Sequence, residues 1–175
     1  MQKTITITFP NGDSSTYPSG VTGLAIAESI SGGLAREALA VTVDGSVRDL
    51  HAPIESDAAV RILTWKDDEG KEVYWHSSSH LMAHAVLEIF PEAKFGVGPA
   101  IEEGFYYDID IEHVLTPEDL VRIEEKMKEL AREDRPFERM ILTKQEAIEF
   151  WTQPVSYTHL RAHETVLDLV CRLLL

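Results

Sequence analysis

The chain has 175 residues and a formal net charge of −14, with 30 acidic residues against 16 lysines and arginines. This acidic balance makes the chain a poor generic binder of nucleic acid, so any RNA contact must come from local geometry or from further domains. The N-terminus lacks the basic-then-apolar pattern of a secretory signal, and no apolar run is long enough to span a membrane. We therefore expect a cytoplasmic protein of one or two small domains with no membrane partner.

The C-terminal segment 154–175 does not have the character of evolved protein sequence. Residues 155–165 resemble one reading frame of a common transposase-based library adapter, and residues 169–175 resemble the same frame of the primer that follows it. An ordinary amphipathic terminal helix is the alternative. We expect this tail to be non-native and the natural sequence to continue past about Gln153, which makes the chain a fragment. The only cysteine, Cys171, lies in the tail, so the rest of the chain has no thiol nucleophile, disulfide or thiolate metal site.

Strand and helix signals begin at once. Residues 3–9 alternate polar and apolar side chains, which predicts a half-buried first strand. Asn11-Gly12 is typical of a hairpin turn because both residues tolerate positive φ, and residues 13–17 follow as the return strand. Thr22 is a candidate N-cap for a helix that ends near Ser31. The residues expected on the inner face of this helix are Leu24, Ala25, Ile26 and Ile30.

Further strands complete a first domain, which we place at residues 1–65. Gly32-Gly33 is expected to stop the helix. Strands are predicted at residues 39–43, 46–49 and 59–63, with Asp44-Gly45 as the turn between the first two. The order β-β-α-β-β-β predicts an α+β fold, a ubiquitin-like β-grasp in which one helix crosses a sheet.

A second domain is predicted at residues 66–153. The charged segment 67–72 contains a glycine and is interpreted as the linker. A helix is predicted from about Trp75 to Phe90, because Pro91 follows its end. Its expected apolar face consists of Leu81, Ala85, Val86 and Ile89.

Glycines and capping residues mark the rest of this domain. Gly96, Gly98 and Gly104 flank an aromatic strand, which indicates that backbone approaches a neighbour closely there. Asp108 and Asp110 are interpreted as turn or strand-end carboxylates. The remaining elements are a helix capped at Thr116-Pro-Glu-Asp119 with an apolar stripe of Leu120, Ile123, Met127 and Leu130 to about Glu133, a strand at 137–142, and a helix opened by Thr143-Lys-Gln-Glu146.

Three histidines, His76, His80 and His84, are spaced by one helical turn. Positions i and i+4 share a helix face, so the first two imidazoles can reach one small volume. Such a pair can bind a metal, move protons or hold a polar ligand. The alternative is that the histidines are only partly buried core residues, and for His84 the two interpretations are equally weighted.

The motifs His76-Ser-Ser-Ser-His80-Leu-Met-Ala-His84 and Gly96-Val-Gly-Pro-Ala-Ile-Glu-Glu-Gly-Phe-Tyr-Tyr-Asp108, with Thr116-Pro-Glu-Asp119, resemble the N-terminal region of the threonyl-tRNA synthetase family. The resemblance spans residues 1–153. It implies a TGS-like β-grasp domain followed by a truncated threonyl/alanyl-type editing domain. It also implies that His76 and His80 are catalytic residues of an editing site.

The same resemblance implies a longer parent enzyme. The family's editing pocket uses a lysine, an aspartate and a Cys-x-x-x-His pair further along the chain, and its class II core binds ATP, threonine, tRNA for threonine and a zinc ion. None of these parts is expected here, so the fragment is expected to be inactive, with no cofactor site of its own. A homodimer is expected through the missing domains.

Two other classes of function remain open. A freestanding TGS-type RNA-binding or regulatory module is disfavoured by the charge of residues 1–65, where four basic residues stand against seven acids. A metal-dependent hydrolase would use His76 and His80 as its only candidate ligands. His84 could be added, but three ligands from one helix give poor tetrahedral geometry.

Overall fold

A computed structural model describes residues 3–133, 140 and 142–152. The chain separates into two compact units, with the second beginning at Trp75. The elements are, in chain order, β1 (Thr4–Thr8), β2 (Ser14–Pro18), β3 (Val21–Thr22), α1 (Gly23–Ile30), α2 (Gly32–Glu37), β4 (Ala38–Val43), β5 (Ser46–Arg48), β6 (Pro53–Ile54), β7 (Ala58–Thr64), α3 (Asp68–Ile89), β8 (Lys94–Phe95), β9 (Ala100–Ile101), β10 (Gly104–Phe105), β11 (Ile109–Asp110), α4 (Pro117–Arg132) and α5 (Lys144–Thr152).

The first unit is built on a five-stranded mixed sheet in the order β2-β1-β7-β4-β5. Strands β1 and β7 are parallel, and the other neighbours are antiparallel. Alternate residues of β1 are buried, as the sequence pattern predicts. The buried core is aliphatic and consists of Ile5, Ile7, Ile26, Val41, Val43, Ile54, Ala58 and Val60. This arrangement confirms the predicted β-grasp.

The turns of the sheet differ in type. Asp44 and Gly45 both take positive φ, 50° and 81°, which is the two-residue hairpin turn expected there. In the first hairpin only Gly12, at 88°, takes positive φ. Asn11 instead uses its side chain, whose oxygen accepts the Asp13 amide at 3.1 Å. The hairpin is as predicted, and an Asx-type bond from Asn11 stabilises its turn.

Helix α1 has the predicted bounds but buries fewer of its residues than expected. Thr22 caps it as predicted, accepting the Ala25 amide at 3.2 Å. Its buried residues are Gly23, Ile26 and Ala27, so the inward placement of Ala25 and Ile30 is wrong. An eight-residue helix has room for little more than two turns against the sheet, and its ends turn to solvent.

Gly32-Gly33 does not terminate α1. The break occurs at Ser31, whose extended backbone ends α1 and whose hydroxyl accepts the Leu34 amide at 3.0 Å to cap α2. The two glycines then form the first turn of α2. The prediction failed because one serine serves as the C-cap of one helix and the N-cap of the next.

The predicted linker at residues 67–72 is also wrong, because α3 already begins at Asp68. Asp67 accepts hydrogen bonds from the Thr64 amide at 2.8 Å and from Arg61 at 2.8 Å, and its carbonyl accepts the Lys71 amide at 3.0 Å. Its bond to the Thr64 backbone is the main cause that lowers the pKa of Asp67. Charged residues that suggested a linker therefore form a helix start, with acids at the positive end of the helix dipole.

The second unit packs α3 and α4 with short strand pairs. Strand β9 pairs with β10, and β8 pairs with β11, each over two residues. Its buried hydrophobic residues are Ala83, Ala85, Val86, Phe90, Ala93, Phe95, Ile123 and Leu130. Leu120, expected in the apolar stripe of α4, is 59% exposed. The domain limits at 1–65 and 66–153 stay predictions.

The last helix begins as predicted. Thr143 accepts the Glu146 amide at 3.3 Å, and the Glu146 carboxylate accepts the Thr143 amide at 2.7 Å. The predicted strand at 137–142, apart from positions 140 and 142, and the tail at 154–175 lie outside the described residues. Within the described part of the chain, no helix combines the length and the apolar character needed to cross a membrane.

Candidate functional site

The histidine pair predicted from the spacing is formed on α3. The Nε2 atoms of His76 and His80 lie 3.1 Å apart, and the ring centroids are 4.8 Å apart at an interplanar angle of 70°. At that distance one nitrogen donates a hydrogen and the other accepts it, so the two rings adopt complementary tautomers. His76 is exposed and His80 is half-buried.

The contact between the two Nε2 atoms limits how many hydrogens can lie between the rings. With both rings neutral, a single hydrogen lies between the two Nε2 atoms. Adding one proton charges one ring, and a second would bring two cations and two donors face to face.

His84 does not share this contact. Its Nε2 lies 3.6 Å from the Glu88 carboxylate one turn further along α3, and its side chain is 25% exposed. The structure thus brings two of the three predicted histidines together and pairs the third with an acid.

Two aromatic contacts connect α3 and the short strands of the second unit. Trp75, which precedes His76, contacts Phe105 of β10 at 6.2 Å between ring centroids. Phe95 and Tyr107 meet edge to face at 5.1 Å, and burial raises the pKa of the Tyr107 phenol. The β9–β10 hairpin is therefore held beside the N-terminal side of the histidine pair by a ring contact.

Two of the three glycines are close-approach positions, as predicted. A Cβ on Gly98 would lie 2.5 Å from the Tyr107 ring, and a Cβ on Gly96 would lie 3.1 Å from Cβ of Asp108. Gly104 has open space around it and a φ of 146°, so it serves the β9–β10 turn instead. The backbone of Asp108 exchanges hydrogen bonds with Gly96 and Val97, which agrees with a strand-end role.

A polar cluster at the start of α4 was not anticipated. Asp119 is 5% exposed and accepts hydrogen bonds from His113 at 2.7 Å and from the amide and hydroxyl of Thr116 at 3.1 and 2.9 Å. Arg122 donates to its second oxygen at 2.9 Å. These bonds, that from His113 foremost, hold the pKa of Asp119 well below its usual range. His113 also stacks on Phe90 at 5.1 Å.

The sequence carried only part of this signal. The Thr116-x-x-Asp119 spacing predicts a capping box, and the box is present. His113 lies three residues ahead of the cap in an irregular segment, where no periodicity indicates the direction of its side chain. The Asp119 carboxylate is buried and its hydrogen bonds are supplied by its neighbours, so this contact stabilises the start of α4.

Metal binding has a limited donor set. Among the described residues, no group of three or more His, Cys, Asp or Glu side chains is arranged to hold a metal ion. His76 and His80 supply two imidazoles, whereas catalytic zinc sites have three protein ligands. The described residues therefore do not fit a zinc site of that kind.

Known proteins place the first unit in a family. Residues 5–64 match the family model described as TGS domain. This part of the chain is a TGS domain. The match covers the sheet from β1 to the end of β7, and the ubiquitin-like β-grasp expected of a TGS domain is the fold observed.

Similarity continues beyond the TGS domain. The chain is 54% identical over 148 residues to the threonine–tRNA ligase of Chlorobaculum tepidum, covering 85% of this chain and 22% of that protein. It is 50% identical over 145 residues to the threonine–tRNA ligase of Desulforamulus reducens, covering 83% of this chain and 23% of that protein. The threonine–tRNA ligase of Parabacteroides distasonis is 49% identical over 148 residues, with 84% and 23% covered. The chain thus spans less than a quarter of the length of these relatives and is similar to their N-terminal region.

Proposed function

We propose that the chain is the N-terminal part of a cytoplasmic threonine–tRNA ligase, a class II aminoacyl-tRNA synthetase, and that its second unit contributes to hydrolytic editing of seryl-tRNA. The observation that carries the proposal is the 3.1 Å contact between His76 and His80 in a unit that follows a TGS domain. About half of the aligned residues are identical to threonine–tRNA ligases, and this supports the same assignment.

The need for editing follows from the substrates. Threonine and serine differ by one methyl group, and such a difference is worth only ~1–3 kcal/mol of discrimination in a binding site. A hydroxyl-recognising site accepts serine as well, so mischarged seryl-tRNA must be removed in a second site. The reaction is hydrolysis of the ester at the 3′ end of the tRNA, which needs a positioned water and a proton acceptor.

The histidine pair fits these requirements. The paired imidazoles can accept a proton from water as its oxygen attacks the ester carbon. A proton taken from water charges one ring, and the hydrogen between the Nε2 atoms, 3.1 Å apart, lets the two rings share that charge until a proton is returned to the leaving ribose oxygen. The pair thereby holds a proton at a defined place during hydrolysis.

The remaining parts of the activity are assigned outside this chain. We infer that ATP, threonine and the zinc ion of the parent enzyme bind to a catalytic core that the chain does not contain. Transfer RNA for threonine is the inferred macromolecular partner, and the homodimer forms through the same missing domains. No cofactor is assigned to the described residues, and His76 and His80 act in the proposal without a metal.

A chimera tests this proposal. The matching segment of the Chlorobaculum tepidum ligase is replaced by that of the present chain, and hydrolysis of seryl-tRNA is measured beside charging with threonine. His76→Ala or His80→Ala should slow hydrolysis by ~10²–10⁴-fold, because general acid–base catalysis contributes about that much. Charging should stay nearly unchanged, because it occurs in another domain.

Two controls make the result specific. His84→Ala removes a histidine from the same helix that contacts Glu88 and not the pair, so it should leave hydrolysis within about twofold of the unaltered chimera. The 175-residue chain alone should hydrolyse no seryl-tRNA above buffer. Normal editing by the double variant would show that the paired histidines are structural, and efficient hydrolysis by the chain alone would show that no further domain is needed.

A further inference from the structure

Ser79 lies between the paired histidines and is fully buried. It is 0% exposed, and its Oγ donates a hydrogen bond to the main-chain carbonyl of His76 at 2.7 Å. The two other serines of the same turn, Ser77 and Ser78, are partly exposed. The buried hydroxyl is therefore directed at the backbone of one member of the pair.

The acceptor of this bond has a second role. In an α-helix the carbonyl of residue i accepts the amide of residue i+4, so the His76 carbonyl is the acceptor for the His80 amide. A serine hydroxyl that bonds the carbonyl three residues earlier competes with that amide and tilts the helix locally. One oxygen atom thus connects the backbone of both histidines to the Ser79 side chain.

Packing alone does not explain a serine here. Alanine has the higher helix propensity and buries no polar group. The same helix has alanine at two other buried positions, Ala83 and Ala85, which are 8% and 0% exposed. Because the helix has serine at the one buried position between the histidines, the hydroxyl has a function that alanine lacks.

We propose that Ser79 is a positioning residue for the His76–His80 pair. Its hydroxyl shares the His76 carbonyl with the His80 amide and sets the tilt between the two turns, so that the Nε2 atoms meet in hydrogen-bonding contact. The geometric part stands on the structure alone, and only its consequence for hydrolysis rests on the proposed editing function.

The geometric part is tested in the 175-residue chain by Ser79→Ala. Selective ¹⁵N labelling of the imidazoles follows the titration of His76 and His80. The unaltered pair should titrate in two well-separated steps, because the first proton disfavours the second. Ser79→Ala should bring the two titration steps together or remove the NMR signal of the hydrogen that lies between the two Nε2 atoms. Ser78→Ala is the matched control and should leave both unchanged.

A conservative variant separates positioning from space filling. Ser79→Thr keeps a hydroxyl that can bond the same carbonyl, and it should restore the two-step titration. Ser79→Cys has nearly the shape of serine with a much weaker donor, so it should resemble Ser79→Ala, and it gives the same readout if the alanine variant is poorly folded. A two-step titration retained in both the alanine and cysteine variants would overturn the proposal.

The consequence for hydrolysis is measured in the chimera. Ser79→Ala should lower kcat for seryl-tRNA hydrolysis by ~10- to 100-fold with KM and threonine charging unchanged, since small misplacements of reacting groups cost about this much. If Ser79→Ala removes the coupled titration but leaves kcat unchanged, and His76→Ala also edits normally, the editing function is contradicted. The positioning role of Ser79 would then still stand. Unchanged coupling with unchanged kcat, where His76→Ala is inactive, contradicts the positioning role alone.

Discussion

The two units of the chain anchor their helices in different ways. In the TGS domain, short polar side chains cap the helices, and an aliphatic core lies against a five-stranded sheet. In the second unit the strands are two residues long, and small alanines and glycines let α3, α4 and the strand pairs approach. The sheet of the first unit joins strands that are far apart in sequence, such as β1 with β7, whereas the short strand pairs of the second unit join segments that are near in sequence.

The acids at the starts of α3 and α4 differ in how deeply they are buried. Asp67 lies just before α3 and accepts hydrogen bonds from two residues of the preceding strand, Arg61 and Thr64. Asp119 lies in the first turn of α4 and accepts hydrogen bonds from His113, which precedes the helix, and from Arg122, which lies within it. Asp119 is the more deeply buried of the two carboxylates. Each helix start is therefore a charged site whose loss should affect one unit first.

The largest expected effect breaks the close approach at the start of α3. A Cβ on Gly70 would lie 2.2 Å from the carbonyl oxygen of Thr64, and neither backbone segment can yield without displacing β7 or α3. Gly70→Ala should lower the free energy of unfolding of the first unit by about 3 kcal/mol or more, since overpacking against rigid backbone exceeds the usual cost. Urea unfolding followed by the amide signals of each unit measures it.

Gly32→Ala is the matched control for this change. Gly32 is also helical and has negative φ, but the nearest atom to an added Cβ is the flexible end of Arg36 at 3.7 Å. Alanine there should be neutral or slightly stabilising, by up to ~1 kcal/mol. Equal destabilisation by both variants would show that the contact with Thr64 does not determine the cost.

The TGS domain shows how far local reasoning reaches. The strands, the Thr22 cap and the Asp44-Gly45 turn were predicted because each is encoded within a few residues. The double role of Ser31 and the short β3–β6 pair were missed. The first depends on which residue both helices share, and the second joins strands about thirty residues apart, Val21 with Ile54.

The candidate site shows where such reasoning ends. The i, i+4 spacing was enough to predict that His76 and His80 meet. It could not show that His84 faces Glu88, that Ser79 bonds the His76 carbonyl, or that His113 reaches Asp119. Those contacts depend on the burial of each helix face and on the path of an irregular segment, neither of which is periodic in sequence.

The next largest expected effect is the loss of stability at low pH, which should differ between Asp119 and Asp67. The pKa of Asp119 is lowered in the folded chain, so its ionised form stabilises the second unit at neutral pH. That contribution is fully present above the unfolded pKa of ~3.9 and is lost as the pH falls through the lower folded pKa. Asp119→Asn should destabilise the second unit at pH 7 and flatten its loss of stability below about pH 4.

Asp67→Asn is the comparison in the first unit. The pKa of Asp67 is also lowered, chiefly by the Thr64 amide, so the sign is the same. Its carboxylate is 25% exposed against 7% for Asp119, and solvent should therefore screen more of its interaction. NMR measurement of the unfolding of each unit between about pH 2 and pH 7, the range that covers carboxylate titration, tests whether Asp119→Asn has the larger effect. A larger effect from Asp67→Asn would show that the His113 and Arg122 contacts add little.

The smallest expected effect compares two threonine caps. Thr22 accepts one amide at the start of α1, so Thr22→Ala should cost the first unit about 1 kcal/mol. Thr116 accepts the Asp119 amide and also donates its hydroxyl to the buried Asp119 carboxylate at 2.9 Å. Thr116→Ala should therefore cost more than Thr22→Ala, toward ~2 kcal/mol, because it removes a bond to a charged group as well as a cap. Repeating both changes in the Asp119→Asn background isolates that bond: the excess cost at Thr116 should shrink while the cost at Thr22 stays constant. An equal cost for the two caps in the unaltered chain would mean that the bond from Thr116 to the Asp119 carboxylate adds nothing to the cap.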